Sequence, residues 1–154
     1  MALTTYGLFA VGGVALAVID ARTKLLPNRI VFPLYGVGLV GLSLASWLGS
    51  DWGAMVSGLI CMAAFYAVFY LMAMFGPMGF GDVKLAGLIG LYLGWISVPI
   101  AFAGILFGAV SASVVCVALI LVRSVRRIPW RGMEIAYGPY LLFGALAAVV
   151  LGLI

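Results

Sequence analysis

Between Lys84 and Arg123 the chain carries no charged residue. As a single helix, residues 85–122 would measure about 57 Å at 1.5 Å per residue, nearly twice the hydrocarbon thickness of a bilayer. A run this long and this apolar has no place in a soluble core, and one span cannot use all of it. The stretch must turn back on itself, and Gly94, Ser97 and Pro99 mark the place.

Further apolar runs, bounded by charges or Pro/Gly clusters, fall at 3–20, 30–48, 53–75 and 135–154. The whole chain of 154 residues is 67% hydrophobic and 8% charged, which excludes a water-soluble fold. A spanning helix uses about 20 residues, so the expected architecture is all-α: one polytopic membrane domain over 1–154, six transmembrane helices and no soluble appendage. The first run lacks the basic start of a secretory signal, although Ala15-Leu16-Ala17 resembles a cleavage site, and it is expected to be retained as a helix.

The basic residues provide an independent check. Arg22, Lys24 and Arg29 lie between the first two runs, Lys84 follows the third, and Arg123, Arg126, Arg127 and Arg131 precede the last. With a hairpin in 85–122, all eight fall on one side of the membrane, which the positive-inside rule makes cytoplasmic. Both termini are then expected on the non-cytoplasmic side. The net charge of +4 reports this orientation and not a nucleic-acid partner; the expected surroundings are the lipid bilayer. The loop from Arg123 to Arg131 could also touch anionic lipid.

Two local features complete the outline. Val83 to Leu93 is only about 16 Å long as a helix, so the fourth span is expected to tilt, to thin the bilayer or to extend through Trp95. Glycine is abundant, with 21 residues, and Gly36, Gly38 and Gly41, like Gly104 and Gly108, read as surfaces for close helix packing.

Elimination narrows the chemistry. The chain contains no histidine, which removes Ser-His and Cys-His hydrolases, HExxH zinc sites and histidine-ligated metals. Asp20, Asp51, Asp82 and Glu134 are the only carboxylates, too few for a two-metal cluster. Neither a metal nor any other cofactor is expected. Cys61 and Cys116 sit in apolar runs and read as packing residues. A Ser-Lys dyad using Lys24 or Lys84 remains open, but both lysines lie in basic loops where they set orientation.

Asp20 closes the first span and Asp82 opens the fourth, so helix order puts both carboxylates at one depth on the basic side. Two aspartates sharing a proton can hydrolyse a peptide without metal or covalent intermediate. One ionised carboxylate activates water and the other protonates the departing amide. Each also has a structural reading: Asp82 as a helix N-cap, Asp20 as an ion-pair partner of Arg22 or Lys24. Gly79 and Gly81 precede Asp82 and can bring backbone close to an extended substrate, or can simply form a turn. Leu26-Pro27-Asn28 ends one helix and can cap the next.

Together these residues resemble the type IV prepilin peptidases, aspartic proteases of the GxGD type. The resemblance rests on Ile19-Asp20-Ala21-Arg22-Thr23-Lys24-Leu25-Leu26-Pro27-Asn28 and on Gly79-Phe80-Gly81-Asp82-Val83-Lys84-Leu85. A weaker likeness is Tyr137-Gly138-Pro139. It covers essentially the whole chain and implies Asp20 and Asp82 as the catalytic pair, with Gly79, Gly81 and Lys84 as candidate substrate-binding residues. It further implies an endopeptidase of the bacterial inner membrane that removes a basic leader from pilin or pseudopilin precursors at the cytoplasmic face. Longer members carry a cysteine-containing cytosolic insertion linked to N-methylation. The short loop here looks more like the peptidases of tight-adherence (Flp-type) pilus systems. A proton-coupled transporter and a non-catalytic assembly subunit are the competing readings.

Overall fold

The computed structural model describes residues 2–23, 27–76, 79–126 and 136–152. Among them every regular element is an α-helix: α1 (Ala2–Thr23), α2 (Asn28–Gly49), α3 (Trp52–Phe75), α4 (Phe80–Ile96), α5 (Val98–Val125) and α6 (Gly138–Gly152). Helices α1, α2, α3 and α5 are long and apolar enough to cross a membrane, and α4 and α6 are shorter, at 17 and 15 residues. The chain is a multi-pass membrane protein. The long uncharged stretch breaks where Gly94, Ser97 and Pro99 predict. Ser97 separates α4 from α5 in extended conformation, and Pro99 occupies the first turn of α5, where a missing N–H costs nothing.

The organisation inverts that of a soluble bundle. Phe102, Leu106, Val110 and Val114 of α5 point outward, while Ala101, Gly104, Gly108 and Ala112 form its one buried stripe. Apolar side chains on the outside have lipid as their solvent. The inward stripe is made of small residues because helices in a bilayer gain their association from close packing. Helix α4 is the exception. From Val83 to Gly94 all of its residues but Lys84 are buried, so the other helices wrap around it and it has no lipid face. A helix apolar on every side belongs in a core. This answers the length problem of the fourth span: a segment enclosed by protein need not match the bilayer by itself.

Two contacts bring backbones against each other. A Cβ on Gly90 would lie 2.7 Å from the Cys61 carbonyl oxygen, and one on Gly94 2.7 Å from the Cys61 Cβ, so α3 and α4 close through glycine. Cys61 is thus a buried packing residue, as expected, and Cys116 is half-buried on α5. On the other side, Gly104 and Gly108 of α5 meet Ala145, Gly144 and Leu141 of α6, with Gly144 against the Gly108 amide. Gly104 and Gly108 therefore are the packing surface that the sequence suggests.

Hydroxyls and one indole fasten the central helix. Tyr6 donates to the Tyr92 carbonyl at 2.6 Å, Tyr92 to the Leu34 carbonyl at 3.0 Å, and Tyr35 to the Lys84 carbonyl at 2.6 Å. Trp95 Nε1 donates to Ser46 Oγ at 2.8 Å. Each bond ties α4 to α1 or α2, and the Tyr92 bond to Leu34 is fully buried. At the far end of the bundle, Ser50 turns the chain with φ 52° and Asp51 caps α3 by accepting from the Ala54 amide at 3.1 Å.

Candidate active site

Asp51 is accounted for as a helix cap at the far end, and Glu134 lies outside the described residues, as do Lys24, Arg127 and Arg131. Asp20 and Asp82 remain, and the fold places both at the other end of the bundle. The C-terminus of α1 and the N-termini of α2, α4 and α6 meet there. Two bonds demonstrate it: Gly138 to Asp20, and Lys84 to Asn28. Arg22, Arg29, Lys84, Arg123 and Arg126 all lie on helix ends of this side.

Asp20 is 4% exposed and Asp82 8% exposed, so neither is a solvated surface charge. They are near enough for the charge of Asp20 to act on Asp82.

Each carboxylate lies at a helix N-terminus, by different routes. Asp82 is the third residue of α4, whose N-cap is Gly79 with φ −74° and ψ 141°. The alternative reading of Asp82 as the cap itself is thereby corrected: the cap position falls three residues earlier, because α4 begins at Phe80. Gly79 is extended, and Gly81 is helical within the first turn, where backbone amides have no partner inside the helix. Asp20 ends its own helix, where a negative charge opposes the dipole. The compensation comes from α6: the Gly138 amide donates to Asp20 Oδ2 at 3.0 Å. A Cβ on Gly138 would stand 2.6 Å from that oxygen, so the approach needs glycine. Arg22 is exposed, Lys24 lies outside the described residues, and among those described the hydrogen-bond partner of Asp20 is this amide.

Lys84 joins the two aspartate motifs. Its ammonium donates to Asn28 Oδ1 at 2.7 Å and lies 5.4 Å from the centre of the Phe32 ring. Asn28 was the expected cap of α2, but Pro27 holds that position and the Asn28 side chain serves Lys84. Gly138 and Asn28 are thus the neighbours that sequence reasoning did not assign. The only signals for them were the short Tyr137-Gly138-Pro139 and Pro27-Asn28 segments. Among the described residues no three side chains of the metal-ligating type come together.

A family model described as the type IV leader peptidase family matches residues 7–154. The chain is similar to the prepilin leader peptidase/N-methyltransferase of Stutzerimonas stutzeri, at 32% identity over 99% of this chain and 49% of that protein. The protein of the same description from Pseudomonas aeruginosa is 30% identical over 99% of this chain and 49% of its own length. One from Klebsiella pneumoniae is 37% identical over 54% of this chain and 38% of that protein. The chain spans about half the length of the first two. No solved structure matches it.

Proposed function

Because this chain belongs to the type IV leader peptidase family, we propose that it is an intramembrane aspartyl endopeptidase. Its substrates are pilin or pseudopilin precursors, from which it removes a basic leader at the cytoplasmic face of the bacterial inner membrane. Six helices cross that membrane, with both termini on the non-cytoplasmic side. The observation that carries the reading is the pair Asp20 and Asp82, both buried, at the end of the bundle that also bears the basic residues.

In this reaction one ionised carboxylate takes a proton from water as the oxygen attacks the scissile carbonyl. The protonated partner gives its proton to the departing amide nitrogen. The Gly138 amide fixes the rotation of Asp20 so that its free oxygen is available to water. Gly79 and Gly81, with no side chains beside Asp82, let an extended substrate segment come close. Lys84, with donors left after Asn28, holds a substrate carbonyl.

The test is cleavage of a pilin-type precursor by the purified chain in liposomes. Asp20→Asn and Asp82→Asn, which keep shape but cannot ionise, should each lower the rate by at least ~100-fold. Wild-type turnover by either variant would end the paired-acid mechanism.

A further inference from the structure

Helices α1 and α6 leave a groove of about 470 Å³ between them, with Leu93 of α4 at its base. Ala17 lines it one turn before Asp20, and Pro139 lines it directly after Gly138. One end of the groove therefore lies beside Asp20. Tyr6 lines the other end, and Ala17 to Tyr6 is about 16 Å along α1, or roughly three helical turns. No charged side chain lines it, and its one hydroxyl, on Tyr6, is already committed to the Tyr92 carbonyl. Val14, Phe143 and Leu146 are 66%, 61% and 64% exposed, so the groove opens sideways into lipid along its length.

We propose that this groove seats the apolar helix of the substrate, the segment that follows the scissile bond, and so delivers the bond to Asp20 and Asp82. The inference rests on the peptidase reading and adds to it a route and a docking face. Three observations argue for this groove and this occupant. On α1 the wall is Tyr6, Phe9, Ala10, Gly13, Val14 and Ala17, and around Ala10 and Ala17 its small side chains let a second backbone lie close. The groove runs along two helices, and Ala17 and Pro139 bring one end of it beside Asp20. A larger groove of about 710 Å³, lined by Leu39, Val40, Trp47 and Trp52 of α2 and α3, lies at the end of the bundle away from the carboxylates.

The experiment uses the full chain in phosphatidylcholine liposomes, with cleavage blocked by Asp82→Asn. A photo-crosslinking residue replaces Val14, Leu146 or, as control, Val40 in the other groove. The probe is a synthetic precursor with a lysine-rich leader, a cleavage junction and an apolar helix of about 20 residues. Crosslinks to the probe from positions 14 and 146 should exceed those from 40 by roughly tenfold. A junction peptide lacking the helix should fail to compete them away. Equal yields at all three positions, or adducts with lipid alone at 14 and 146, would overturn the proposal. In the otherwise unaltered enzyme, Val14→Trp and Leu146→Trp should raise the KM for the precursor by about tenfold at unchanged kcat. Both side chains are already lipid-exposed, so these changes leave the core alone. Crosslinking without cleavage by the wild type would remove the peptidase reading and leave the docking face; cleavage without crosslinking would do the reverse.

Discussion

The amide of Gly138 donates a hydrogen bond to Asp20 across a separation of 118 residues, so the last helix supplies the partner for a carboxylate on the first. The space between them admits no side chain on residue 138. Gly138→Ala would push its new methyl to within 2.6 Å of Oδ2 and rotate or displace the carboxylate. Precursor cleavage should fall about 10- to 100-fold through kcat, while the thermal midpoint in detergent moves little. A variant that cleaves normally would show that the contact does not orient the acid.

Paired acids act as a unit, so their losses should not add. Combining Asp20→Asn with Asp82→Asn is expected to give the same residual rate as either change alone, because the mechanism is already absent after one. Single-turnover cleavage of the three variants measures this, and a double variant far slower than both singles would mean that the carboxylates act separately.

The proposed paired-acid mechanism also predicts a pH profile. At low pH the carboxylate that activates water becomes protonated, and at high pH the partner loses the proton owed to the leaving amide. The kcat/KM of the wild type should therefore rise and then fall as pH increases. Its two limbs belong to the pair and not to one residue. A rate that only climbs with pH would be incompatible with an acid in the mechanism.

The Lys84 bond to Asn28 ties α4 to α2 at the same end. In a double-variant cycle of Lys84→Met and Asn28→Ala, the coupling should be about 0.5–1.5 kcal/mol, reduced by its partial exposure to water. Lys84→Met should cost more than Asn28→Ala, since it also removes the cation from the Phe32 ring. Thermal unfolding in detergent reads both quantities.

Glycine substitutions should divide by what the new methyl meets. Gly90→Ala would strike the Cys61 backbone at 2.7 Å, where nothing can rotate aside, and should destabilise the fold by about 1–3 kcal/mol. Gly36 has open space around the same position, so Gly36→Ala should be neutral or mildly stabilising through helix propensity. Equal midpoints for the two variants would contradict the α3–α4 contact.

Much of the fold was legible because a bilayer leaves so few choices. The uncharged stretch located the break at Ser97, and the flanking charges grouped the helix ends that meet around Asp20 and Asp82. What the sequence could not convey is which neighbour each helix chooses. The short fourth segment looked like a span that must tilt, thin the membrane or extend through Trp95; α4 does run through Trp95 to Ile96, but its enclosure could not be read from a string. Asn28 resembled a cap, and only the approach of α4 turns its side chain toward Lys84. Gly138 stood in a recognisable tripeptide, yet its amide reaches Asp20 only because α6 packs against α1.

The enclosure of α4 has a consequence for how this protein answers its surroundings. A helix with no lipid face feels neither acyl-chain length nor head-group composition directly, so Asp82 keeps its station when the membrane thickens or thins. Asp20 rides on α1, which borders lipid along most of its length. Changes in the bilayer should therefore act on the Asp20 side of the site, through α1, before they act on Asp82.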